Sequence, residues 1–131
     1  MTVIFSTSTN GMKKILVIDD ELSIGELVKD FLDDSGYQTF IATDALTGLE
    51  IVKKEKPDLV FLDVLMPRVG GLECLRRIKE ISRDTIVVVV SALQDEEIAK
   101  QAIRRGAYDY LTKPFDLAYL QDNLLPRIFP S

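Results

Sequence analysis

Histidine is absent from the chain. That one absence removes the Ser-His-Asp and Cys-His nucleophile arrangements and the common zinc sites. A single cysteine, Cys74, excludes an intrachain disulfide and a cysteine-rich metal site. Within GLECLRRI it reads as a small packing residue on a helix. Positive charge is short: 16 Lys and Arg face 21 Asp and Glu, for a net −5. Without a Lys/Arg excess to neutralise phosphates, no direct nucleic-acid binding is expected. No apolar run approaches the ~20 residues of a membrane-spanning helix. The start, MTVIFSTSTNGMKK, lacks the basic opening and longer apolar stretch of a signal peptide. A cytoplasmic location away from membranes is the expectation, with chemistry limited to carboxylates, hydroxyls and lysine.

A length of 131 residues suits one domain. Residues 1–12 read as a flexible leader or an expression remnant, with Met12 an alternative start. Residues 13–125 hold the domain, and 126–131 a C-terminal tail or the start of a linker. Five strand-like runs alternate with helical patterns: KKILVI, YQTFIA, DLVFL, TIVVVV and AYDYL. The first, third and fourth are apolar without alternation, as in parallel strands covered on both faces. The second and fifth carry Gln38, Thr39 and Asp109, which suits sheet edges. Ile24, Leu27, Val28 and Phe31 recur at helical spacing, as do Leu72, Leu75, Ile78 and Ile81. From Asp95 to Gly106 the chain opens DEE and closes RRG, fitting the helix dipole and a glycine C-cap. Leu117, Leu120 and Leu124 supply a last helical face, which Pro126 is expected to end. Alternation of this kind implies an α/β, doubly wound, mostly parallel sheet with right-handed crossovers.

Ligands of such sheets bind at the carboxyl ends of strands near a topological switch point. Asp19, Asp20 and Glu21 follow the first strand, Asp63 the third, Ser91 and Ala92 the fourth, and Thr112, Lys113 and Pro114 the fifth. Three aspartates, a hydroxyl and a lysine would share one rim. Two carboxylates ~4 Å apart repel by about 4 kcal/mol at an effective dielectric near 20, so one lysine cannot balance three. A hard divalent cation can, and Mg²⁺ prefers such oxygen ligands. Singly, each residue has a plainer reading: aspartates after strands cap helices, Glu21 is a first-turn acid, and Lys113 is a solvated charge. Gly70–Gly71 is a turn before a helix, because the spacing of a phosphate-binding loop is missing.

VIDDE at 17–21, FLDVLMP at 61–67, VVVSA at 88–92 and DYLTKPF at 109–115 together resemble a response-regulator receiver domain of two-component signal transduction. The resemblance covers about Lys13 to Leu125. It implies five parallel strands flanked by five helices in the flavodoxin-like order 2-1-3-4-5. By the same resemblance Asp63 is the phosphoacceptor. Asp20 is a direct ligand of Mg²⁺ (or Mn²⁺), with Asp63 and the Leu65 backbone carbonyl, and Asp19 holds the ion through water. Ser91 is the switch hydroxyl, Lys113 the phosphoryl-binding lysine and Tyr110 the switch aromatic, and the Lys113–Pro114 peptide is cis. The implied partners are a sensor histidine kinase and an output domain or effector. A phosphorylation-dependent homodimer through the fourth and fifth helices belongs to the same expectation. Such a domain is a switch acting on itself and not an enzyme.

Leu65 and Leu93 are apolar where many relatives carry polar side chains, which predicts hindered water attack and a long-lived phosphoaspartate. Two other readings stand beside the switch. An aspartate-nucleophile phosphohydrolase resembles Asp-x-Asp after the first strand, whereas here Asp63 follows the third and precedes Val64 and Leu65. A partner-binding module that is never phosphorylated normally lacks part of the acid, serine and lysine set, which is complete here.

Overall fold

Strands that are apolar at every position need cover on both faces, and alternate side chains sort to opposite sides. The computed structural model describes residues 12–66, 70–92, 95–114 and 116–130. Residues 1–11 of the expected leader, Pro67, Leu93 and Phe115 lie outside the described residues. The elements run β1 (Lys14–Ile18), α1 (Leu22–Asp34), β2 (Gln38–Ala42), α2 (Ala45–Glu55), β3 (Leu59–Asp63), α3 (Gly71–Ile81), β4 (Ile86–Ser91), α4 (Glu96–Arg104) and β5 (Asp109–Thr112). A final helix, α5, spans 117–128. The strands form one parallel sheet in the order β2-β1-β3-β4-β5. The polar-bearing β2 and β5 are its edges, as the sequence predicts.

Leu16, Ile18, Val60, Leu62, Val87 and Val89 point to one face and pack with Leu49, Val52, Leu75 and Ile78 of α2 and α3. Ile15, Val17, Leu59, Phe61, Val88 and Val90 point to the other, where Val28, Leu32, Leu120 and Leu124 of α1 and α5 meet them. Cys74 is buried on the first face, and burial pushes its thiol up to about 12, so it packs as a hydrophobe. Since β1 connects outward to β2 and the chain then returns to place β3 on β1's other side, the direction of winding reverses between β1 and β3. That is the switch point at which such folds open a crevice.

Local signals set the helix ends. The Asp44 side chain accepts from Thr47 N–H at 2.8 Å, and that of Asp95 from Glu97 N–H at 2.9 Å, capping α2 and α4. Gly106 takes φ +104° after α4, a conformation that favours glycine.

Two expectations are corrected. On α1 Gly25, Val28 and Leu32 are buried and Ile24 and Phe31 pack against the same core, while Leu27 alone of the expected stripe is 56% exposed. The close approach of Gly25 to Ile41 centres the buried face near Gly25 and Val28, which leaves Leu27 on its outer side. Pro126 does not end α5, which continues to Ile128. The helix widens to a π turn over Leu120–Leu124, where Leu125 N–H reaches back to the Leu120 carbonyl. A wider turn just ahead of a proline relieves the clash of its ring with the preceding carbonyls, so the helix persists.

The stability of Leu32→Ala should fall by about 2–5 kcal/mol in urea denaturation, the cost of a core leucine. That of Leu27→Ala should stay within about 0.5 kcal/mol of the parent.

Candidate functional site

The rim is built by backbone hydrogen bonds that carry the sheet past its last paired residues. Asp19 N–H donates to the Ala42 carbonyl at 3.0 Å, Val64 N–H to that of Val90 at 3.3 Å, and Lys113 N–H to that of Ser91 at 2.8 Å. Each clamps one rim residue to the neighbouring strand. The turn after β3 is held from the far side by α3. A Cβ on Gly71 would stand 2.1 Å from the Val64 Cα, so only glycine lets α3 begin this close to Asp63.

Two aspartates are fixed in short local turns. Asp19 Oδ1 accepts from Glu21 N–H and Asp63 Oδ1 from Leu65 N–H, each at 2.9 Å. Their second oxygens face a single cation. Lys113 Nζ lies 2.8 Å from Asp19 Oδ2, 3.2 Å from Asp63 Oδ2 and 3.7 Å from Glu21 Oε1. Both aspartates are buried, and the Lys113 side chain is 11% exposed. The three therefore form a desolvated ion cluster, unlike the solvated pairs on the helix surfaces.

Burial pushes the Asp63 carboxyl above its ordinary range, and the charge of Asp19 pushes it the same way. The Leu65 amide and Lys113 pull it down without cancelling that rise. Burial works against the Lys113 charge as well, but its hydrogen bonds to Asp19 and Asp63 win and hold the ammonium above its ordinary value. Lysine thus stays cationic, while Asp63 lacks enough positive charge around it.

Asp20, exposed at the mouth, completes a set of three carboxylates whose oxygens lie within 4.8 Å of one another. The donors are all hard oxygens, with no thiol or imidazole among them. They open into a cleft of about 230 Å³ lined by Asp20, Glu21, Asp63, Leu65, Ala92 and Lys113. A buried pair of carboxylates, an exposed third and room for water fit a small divalent cation that keeps part of its hydration shell.

Asp19, Asp20, Asp63, Leu65 and Lys113 are thus brought together. Ser91 closes β4 beside them and is fully buried. Tyr110 is placed differently, half-buried on β5 against the core under α2, α3 and α4 and outside the cleft lining. The Lys113–Pro114 peptide is cis. Two lining residues lie outside the set to which the resemblance gives a role, Glu21 and Ala92. Their signal was position alone, since both directly follow rim residues. Glu21 takes the N-cap position of α1 but makes no side-chain cap, and its carboxylate turns to Lys113 instead.

A family model described as the response regulator receiver domain matches residues 15–125. The chain is 37% identical over 110 residues to sporulation initiation phosphotransferase F of Bacillus subtilis, covering 84% of this chain and 89% of that protein. It is 40% identical over 110 residues to the transcriptional regulatory protein CrdR of Helicobacter pylori, covering 83% of this chain but only 52% of the regulator. Among solved structures, it superposes with a TM-score of 0.83 and 25% identity on a chain of the CheX-CheY-BeF3-Mg complex of Borrelia burgdorferi, covering 91% of this chain and 92% of that one.

Crowding of like charge makes the cation-free cluster a cost to the fold. In chelating buffer Asp20→Asn should raise the thermal midpoint by a few degrees, on the order of 1 kcal/mol. Glu26→Gln, on the exposed side of α1, should leave it nearly unchanged in the same scan.

Proposed function

Since this chain belongs to the response regulator receiver domain family, we propose that it is a phosphoacceptor switch of a two-component system, with Asp63 taking a phosphoryl group from a sensor histidine kinase. The observation that carries this reading is the sharing of the Lys113 ammonium between Asp19 and Asp63, 2.8 and 3.2 Å away, at the ends of β1 and β3. A structural lysine needs one partner, whereas this one is held where a transferred phosphoryl group would arrive.

In the transfer, a carboxylate oxygen of Asp63 forms the new bond to phosphorus while the bond to the donor breaks, its electron pair leaving with the donor. The Leu65 amide fixes the rotation of the carboxylate, and Lys113 offers positive charge to the phosphoryl oxygens. Mg²⁺ (or Mn²⁺), held by Asp19, Asp20, Asp63 and the Leu65 backbone carbonyl, would supply the rest of the charge compensation.

The acyl phosphate adds acceptor oxygens beside Ser91 and Lys113. Hydrogen bonds from two such groups give roughly 3–6 kcal/mol gross, and a two-state element needs about 5.5 kcal/mol to move from 1:99 to 99:1. Tyr110, half-buried on β5 against the core, follows Ser91 inward in this reading. The remodelled face of α4, β5 and α5 then controls an output domain or effector, and a phosphorylation-dependent homodimer would form through α4 and α5. Residues 13–125 are the receiver unit in this reading, at work in the cytoplasm.

Exposure to acetyl phosphate with Mg²⁺ should add one phosphoryl mass to the intact protein, and Asp63→Asn or EDTA should abolish the adduct. Failure of both this donor and beryllofluoride to engage the site would move the assignment to a partner-binding module. Without any donor, Mg²⁺ at 100 times its dissociation constant should stabilise the parent by about 2.7 kcal/mol in thermal scans, and Asp63→Asn far less. Leu65, 45% exposed over the cleft, offers no hydrogen bond to orient an attacking water. Leu65→Asn should therefore speed loss of the phosphoryl group by a factor of roughly five, the equivalent of about 1 kcal/mol of barrier.

A further inference from the structure

Glu21 is a fourth carboxylate at the acceptor cleft. It lines the same cleft as Asp63, its side chain is 63% exposed, and it lies 3.7 Å from Lys113 Nζ. It cannot be counted as neutralised, because that ammonium is already committed at shorter range to Asp19 and Asp63. Nor does it cap α1, the ordinary task of its position. Sitting against the same ammonium, the Glu21 and Asp63 oxygens are at most about 7 Å apart, inside the roughly 8 Å Debye length of physiological salt. A phosphodonor approaching Asp63 therefore still feels the Glu21 charge, only partly screened by salt and water.

We propose that Glu21 is a specificity-determining residue that selects against small anionic phosphodonors and so reserves Asp63 for a phosphoryl group delivered by a docked protein. This rests on the acceptor role of Asp63. Repulsion by a fixed charge scales with the charge of what approaches. A free doubly charged donor such as acetyl phosphate is slowed most, and a singly charged donor such as phosphoramidate less. A donor seated in a protein interface offsets the same repulsion with its other contacts. In both small-molecule reactions an Asp63 oxygen forms the bond to phosphorus. The breaking bond is P–O for acetyl phosphate, with the electron pair leaving on acetate. For phosphoramidate it is P–N, with the pair leaving on ammonia whose protons the nitrogen already carries.

The test is the rate of phosphoryl adduct formation by intact mass at saturating Mg²⁺, with both donors, for the parent, Glu21→Gln, Glu21→Lys and the α1 control Glu26→Gln. Glu21→Gln should raise the acetyl phosphate rate roughly three- to tenfold and the phosphoramidate rate by clearly less. Glu21→Lys should widen that ratio, half-molar salt should shrink it, and Glu26→Gln should leave it at the parent value. Equal changes with the two donors, or a fall with both, would overturn the selective role and make Glu21 a support of Lys113 or of the cation. Absence of an adduct with both donors in the parent, in Glu21→Gln and in Glu21→Lys would instead reject Asp63 as acceptor, and the proposal with it.

Discussion

The cleft depends on one ammonium held by more carboxylates than it can neutralise. Lys113 reaches from the end of β5 to Asp19 beyond β1 and Asp63 at the end of β3. It thereby ties three strands together at the rim, with the β4 carbonyl of Ser91 holding its own backbone N–H. Burying such groups costs several kcal/mol per ion unless they are paired. The pairing here is good but incomplete, and burial leaves Asp63 above its ordinary carboxyl range. Incomplete compensation leaves Asp63 short of positive charge.

The rest of the fold keeps that imbalance in place. Both faces of β1, β3 and β4 are sealed by helices, so the strands cannot shift register without turning core side chains outward. Gly71 lets α3 start against Val64, and the Leu65 amide pins the Asp63 carboxylate. Away from the site, charge is arranged conventionally. On α3, Arg76 and Arg77 hydrogen-bond Glu73 and hold its carboxyl at about 2, but these groups are solvated and contribute little to stability. In the cleft, by contrast, Asp19, Asp63 and Lys113 are largely withdrawn from solvent. This is why the chemistry gathers there and not on the more highly charged helices.

Much of this was legible in the sequence, because the relevant signals are local. The unbroken apolar runs of DLVFL and TIVVVV marked buried parallel strands, and Gln38 and Asp109 marked the edges. The aspartates, Ser91 and Lys113 stood out by coming directly after strands, and the four motifs in order carried the family. Less legible were features set by competition between distant parts. That Leu27 alone of the apolar stripe of α1 turns outward goes with the close approach of Gly25 to Ile41 on β2. The survival of α5 beyond Pro126 was decided by a wider turn one segment earlier.

The sequence by itself determined the order of elements, the apolar strands that must be covered on both faces, and the residue types available at each strand end. It did so because hydrophobic period, caps and strand-end positions depend on near neighbours along the chain. Only the tertiary structure decided that one lysine is shared by Asp19 and Asp63, that Glu21 turns from its helix to that lysine, and that Tyr110 stands outside the cleft. Those outcomes depend on distances between strand ends tens of residues apart. Such distances exist only once the sheet has closed, and with them come the burial and crowding that set the charges against one another.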